Sequence, residues 1–157
     1  MSALLMEKLR FAKGIDPVAN AFASTVRSDV YNMSAWYRAL FVIYTGVGAT
    51  GTTTITVNAC DNVTPSTRSA IAFRYREILT GDTEGAVTLA TSAGYATTAG
   101  SSKIILVEVD ASQLSASGYG FVELTAVESV ASAVLGGIMF IGGEPRYRAA
   151  IAATVIV

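Results

Sequence analysis

Glu108 and Asp110 stand two apart at the end of the run Lys103 to Asp110. On a strand those positions share a face and lie roughly 7 Å apart. Carboxylates so placed can serve as acid and base in glycoside hydrolysis. Asp110 has a competing task. In Asp110-Ala111-Ser112-Gln113 the aspartate can accept from backbone N–H groups while Gln113 reaches back, which fits a single helical turn. A solvated strand end is therefore the favoured reading. Asp82 and Glu84 flank Thr83 in a glycine-bounded loop. Hard cations take such carboxylates, but two ligands are too few, and an exposed turn is expected. Cys60 is the single cysteine and the chain has no histidine. A thiol nucleophile would lack its usual base, so Cys60, at a strand end on the polar side of its pattern, is expected to be a small packing residue. No disulfide can form within the chain.

Gly46-Val47-Gly48-Ala49-Thr50-Gly51 matches G-x-G-x-x-G letter for letter. A dinucleotide site needs a helix next, to aim N–H groups and a dipole at the pyrophosphate. Thr52 to Val57 reads as a strand instead, so a glycine-rich hairpin connection is expected. Asn32-Met33-Ser34 and Asn62-Val63-Thr64 match the glycosylation sequon. The N-terminus lacks the order of a secretion signal, and both are read as coincidence. No catalytic, metal or cofactor residue is expected, and the protein is not expected to be an enzyme.

The elements that position these residues follow period two. Thr52 to Cys60 alternates, with Ile55, Val57 and Ala59 opposite Thr54, Thr56 and Asn58. Ala70 to Arg76 sets Ile71, Phe73 and Tyr75 opposite Ala72, Arg74 and Arg76. Thr25 to Tyr31, Val87 to Ala90, Tyr119 to Val127 and Val134 to Ile141 are further strands. Trp36 to Tyr44 suits a central strand, and Lys103 to Val109 is apolar on both faces until Glu108. Turn-rich loops separate them. About eight short strands predict a mainly β chain: a single antiparallel β-sandwich, jelly-roll-like, over residues 21–148. Residues 1–20 are expected to be an extended N-terminal arm with a short helix within Ser2 to Ala12, where Leu5 and Leu9 sit one turn apart. Residues 149–157 are expected to be an apolar tail or strand.

Of the 157 residues, 52% are apolar and only 15% are charged. A soluble domain usually carries about 25% charged residues. Mean hydropathy is +0.48. Either the chain lies in a membrane or much of its surface is covered by partners. The longest apolar runs, Ala133 to Ile141 and Ala149 to Val157, are strand-sized, well short of the roughly 20 residues of a spanning helix. A net charge of −1 provides no field for nucleic acid. Arg74 and Arg76 fall on one strand face, with Arg68 and Lys103 as candidate neighbours. A protein partner or plain solvation suits them better than nucleic acid, because Phe73 and Tyr75 point the other way. The expected partner-contact residues are Leu5, Leu9, Phe11, Arg74, Arg76, Arg146, Tyr147, Ile151, Val155 and Val157.

Four stretches carry a family resemblance: FAKGIDPVANAF (Phe11 to Phe22), FVIYTGVGATGTTTITVNACD (Phe41 to Asp61), the run from Arg76 to Val127, and VLGGIMFIGGEPRY (Val134 to Tyr147). Together they cover most of the chain, which resembles the capsid decoration, or cement, proteins of tailed bacteriophages. The pattern does not extend clearly past Tyr147. The resemblance implies a small β-sandwich or jelly roll, a dimer or trimer, that binds the outside of the head and staples neighbouring major capsid subunits. It implies a virion location after assembly in the bacterial cytoplasm, with no nucleic-acid or membrane partner. The competing expectation is a tail, head-fibre or adsorption module that stacks host glycans on exposed aromatics, for which Trp36 is the test.

Overall fold

The computed structural model describes residues 4–48 and 50–146. Period-two alternation sends Ala39, Phe41 and Ile43 inward from one strand and Ile55, Val57 and Ala59 inward from the next, all at most 1% exposed. Two antiparallel sheets result. The larger runs β1 (Arg10–Val18), β13 (Gly136–Pro145), β4 (Trp36–Thr45), β11 (Lys103–Asp110), β7 (Phe73–Leu79), β8 (Thr83–Glu84), with β9 (Thr88–Ala90) also on β7. The smaller runs β10 (Tyr95–Ala96), β5 (Thr52–Cys60), β12 (Phe121–Val130), β2 (Thr25–Arg27). In it β3 (Tyr31–Asn32) pairs with β12, and β6 (Arg68–Ile71) pairs with β5. Two short helices are α1 (Leu5–Lys8) and α2 (Ala111–Ser115).

The chain alternates between sheets. It passes from β1 to β2 and β3, back to β4, over to β5 and β6, back to β7, β8 and β9, over to β10, back to β11, then to β12 and finally β13. The strand orders β1-β13-β4-β11 and β2-β12-β5-β6 are the two interleaved sheets of a jelly roll, as expected. Between the layers Tyr31 stacks on Phe140 at 3.8 Å, and the Phe41 ring meets both edge-on. The Tyr31 hydroxyl donates to the Lys13 carbonyl, which ties β1 to the core.

Three local expectations change. The helix ends at Lys8, and Arg10–Val18 pairs antiparallel with β13, so most of the expected arm is a strand of the larger sheet. Phe11 and Lys13 alternate outward with Ala12 inward, and a register shift between Lys13 and Ile15 turns Ile15 onto the core. The glycine-rich loop is not a hairpin, because β4 and β5 belong to different sheets. There the Gly46 N–H donates to the Leu135 carbonyl at 2.7 Å and the Gly48 N–H to the Ser101 hydroxyl at 3.2 Å, so neither is free for a phosphate. A Cβ on Gly51 would fall 2.5 Å from the Ser132 carbonyl oxygen, so glycine is needed for loop packing. Finally, Ala70 to Arg76 is two strands. The chain changes sheet at Ala72, whose carbonyl accepts from the Gln113 side chain at 2.9 Å.

Candidate functional site

The outer face of the larger sheet departs from the usual pattern of an antiparallel sandwich, in which one side packs and the other is polar. Register defines its rows. Phe11 on β1 lies beside Ile141 on β13, then Leu40 on β4 and Glu108 on β11. The next row is Lys13, Met139, Val42, Leu106 and Arg76. The third is Gly137, Tyr44, Ile104 and Ile78. Phe11, Tyr44 and Met139 are 46%, 63% and 42% exposed, and the aliphatic residues between them are half-buried. A groove of about 810 Å³ runs over β1, β13 and β4, floored by Val42, Tyr44 and Met139 and flanked by Phe11, Pro17 and Leu135. The outer face of the smaller sheet is the opposite. Thr54, Thr56 and Asn58 on β5 pair with Val127, Thr125 and Glu123 on β12.

Charge rims one end of the apolar face. The Arg38 guanidinium lies 2.6 Å from Glu108, 3.3 Å from Glu144 and 3.9 Å from Asp110. This network is solvent-exposed and adds little stability. It also answers the carboxylate-pair reading. The Asp110 carboxyl is held below its ordinary value, first by its hydrogen bonds to Ser112 and then by Arg38 and Arg146. A group so held keeps its charge, which is the reverse of an acid catalyst. Asp110 also caps α2, accepting from the Ser112 N–H at 2.8 Å while Gln113 accepts from the Asp110 N–H, as expected.

The remaining candidates are scattered over the molecule. Leu5 is 71% exposed on α1, and Leu9 lies beside Gly143 on the approach to β1. Phe11 stands on the apolar face. Arg74 is exposed opposite Glu108, and Arg76 pairs with Glu84 at 2.8 Å. They do not cluster with Arg68 or Lys103. Arg68 binds Glu123 on the other sheet, and Lys103 is buried, its amino group donating to the Thr98 and Ala99 carbonyls. Arg146 donates to the Trp36 carbonyl at 3.2 Å and covers the Tyr37 ring at 4.9 Å. Tyr147, Ile151, Val155 and Val157 lie outside the described residues.

Other expectations resolve locally. Cys60 is fully buried, and burial first and Glu123 second push its thiol up to about 12. The Asn32 and Asn62 side-chain oxygens each accept a backbone N–H two residues on, from Ser34 and Thr64, as turn formers do. Among the described residues no group of three or more acidic or cysteine side chains could hold a metal ion. The space beside Lys103, lined also by Phe22 and Ile43, is only about 20 Å³, room for a water and not a substrate. No helix among the described residues is long and apolar enough to cross a membrane. The reading from residues alone missed Val42, Tyr44 and Met139 as surface groups. The signal was present, since Phe41 to Tyr44 and Lys103 to Val107 are apolar at both parities.

The two sheets define an antiparallel jelly-roll sandwich with one aliphatic outer face. No protein-family model and no curated protein matches the chain. Among solved structures, it is similar to the SPBc2 prophage-derived protein YomS at 12% identity and a TM-score of 0.43, over 85% of this chain and 91% of that one. It is more loosely similar to a chain from the structure of infectious bursal disease virus, Gx strain, at 12% identity and a TM-score of 0.26, over 88% of this chain and 42% of that one. Likenesses this distant carry no argument about function.

Proposed function

We propose that the protein is a non-enzymatic structural component of a bacteriophage head that decorates the capsid exterior and cements neighbouring major capsid subunits. The observation that carries this reading is the apolar outer face of the larger sheet. A face bearing Phe11, Leu40, Val42, Tyr44, Leu106, Met139 and Ile141 gains about 25 cal/mol for each Å² it hides from water. The low charge content accords with a surface meant to be covered. The family resemblance of the sequence supplies the setting: a virion, a major capsid protein as partner, and a dimer or trimer of this chain. Many copies on a shell would add their burial and raise its resistance to internal pressure.

The glycan-binding alternative has less support. Trp36, its best stacking residue, is only 7% exposed, and the neighbouring exposed ring, Tyr37, is covered by the Arg146 guanidinium. The deciding experiment is sedimentation of the protein with undecorated heads. Co-sedimentation at a fixed ratio to the major capsid protein is expected. A stable free oligomer that ignores the heads overturns the cement reading and makes a glycan screen the next step.

A further inference from the structure

We propose that Arg27 and Arg68, held side by side over the buried Glu123 carboxylate, form a binding site for one oxyanionic group, a phosphate or a carboxylate. The site lies on the outer face of the smaller sheet, across the sandwich from the face proposed for docking. It therefore stands or falls apart from the cement reading.

Register builds the site. Glu123 on β12 lies opposite Asn58 on β5, and Asn58 opposite Ala70 on β6. Arg68 on β6 stands one outward row to one side, opposite Cys60, and Arg27 on β2 one outward row to the other, opposite Thr125. Both arginines therefore reach diagonally to Glu123. Their Nε atoms lie 3.2 Å (Arg68) and 3.4 Å (Arg27) from the same oxygen, Oε1. The two guanidinium groups are neighbours.

Charge supplies the argument. Arg68 Nε also lies 3.2 Å from Oε2, so this one arginine bridges both oxygens and neutralises the carboxylate. Arg27 is surplus. Among the described residues no other carboxylate lies within ion-pair distance of either guanidinium. Asp61 accepts instead from Ser66 and Thr67, and Glu128 from the Ser24 N–H. A second anion would complete the neutralisation that Glu123 begins. Donors remain to hold it. A guanidinium carries five N–H groups. Arg27 spends its Nε–H on Glu123, and Arg68 spends its Nε–H there and a terminal N–H on the Pro65 carbonyl at 3.1 Å. The two side chains are 51% and 35% exposed, which leaves their other terminal N–H groups open to water. Planar N–H forks match the paired oxygens of a carboxylate or phosphate. Ordering long side chains is what usually makes exposed ion pairs weak. Here Glu123 holds both stems before the ligand arrives, which lowers that cost. The site suits one group and not a polyanion. The neighbouring outward residues Thr54, Thr56, Asn58 and Thr125 are uncharged, whereas nucleic acid takes a basic stripe.

The test uses the full-length protein. Inorganic phosphate, acetate and sodium chloride are titrated separately at matched ionic strength, and the Nε–H signals of Arg27 and Arg68 are followed by NMR at mildly acidic pH. Phosphate, acetate or both should move the two signals along a saturating curve with a midpoint below about 10 mM, while chloride gives no saturation. Saturation by phosphate alone, or by acetate alone, identifies which oxyanion the site takes. The binding anion should also raise the melting temperature. Arg27→Gln removes the surplus guanidinium and leaves Arg68 on Glu123, so affinity should fall at least about tenfold. Arg27→Lys keeps the charge without the fork and should fall between the two. Arg76→Gln, altered on the other sheet where Arg76 pairs with Glu84, should bind as the unaltered protein does. Equal, unsaturating shifts with all three salts report screening alone and overturn the proposal. Undiminished affinity in Arg27→Gln overturns it as well.

Discussion

Arg68 on β6 reaches across β5 to Glu123 on β12, with Nε 3.2 Å from a carboxylate whose side chain is only 2% exposed. Arg27 closes on the same group from the other side at 3.4 Å. A carboxylate buried on a polar sheet face is held by these two charges, and Thr125 donates to it as well. Glu123→Gln removes the charge and keeps the shape. The expected loss is about 2 kcal/mol, below the 3–5 kcal/mol of a fully buried pair, because both arginines can turn to water. Urea unfolding at neutral pH measures it, and an unchanged midpoint would show the ion triplet to be idle.

Lys103 is 7% exposed, and its amino group donates to the Thr98 carbonyl and hydroxyl and to the Ala99 carbonyl. It pins the loop between β10 and β11. Lys103→Met keeps the length and strands those acceptors, for an expected cost of about 1–3 kcal/mol. Hydrogen exchange should locate the damage. The Thr97 N–H, bonded to the Thr53 carbonyl at 2.8 Å, should exchange faster while the Val107 N–H does not.

Stability should fall on the alkaline side. The Cys60 thiol rises from 9.0 to about 12 on folding. Between those values the unfolded chain has released a proton that the folded chain keeps, so rising pH favours unfolding. Tyr31, through burial and then Asp29, and Tyr95, through burial and then its bond to Glu77, are shifted upward as well and act in the same direction above their ordinary value of 10.0. The urea midpoint at about pH 10.5 should lie below that at about pH 8. The loss should shrink in Cys60→Ala, and the native thiol should resist a thiol reagent at neutral pH until the chain unfolds.

Val42→Lys and Met139→Glu place charges on the apolar outer face. Neither side chain is part of the core, so the melting temperature should move by no more than about 2 °C. Binding to undecorated heads should drop at least tenfold by co-sedimentation. Full binding by both variants would move the docking surface elsewhere.

Much of this architecture is written in the chain. The strand at Thr52 follows from alternation, those at Trp36 and Lys103 follow from apolar runs of strand length, and the cap at Asp110 follows from four residues. The corner at Ala72 was not legible. Ile71, Phe73 and Tyr75 keep facing inward through it, and the group that satisfies the broken ladder is Gln113, 41 residues away. The Arg68–Glu123 pair was hidden for a similar reason. Nothing local distinguishes a glutamate that two distant arginines cover from one in water. The apolar face was half legible, since double-parity strands announce a sheet covered on both sides without naming what covers the second.

The contrast between the threonine-lined smaller sheet and the aliphatic larger one makes the molecule a two-sided plate. At any boundary between water and an oily phase, including the surface of a droplet, it should settle one way up before any specific contact forms. Orientation would then precede recognition, and the search for a docking site becomes one in two dimensions.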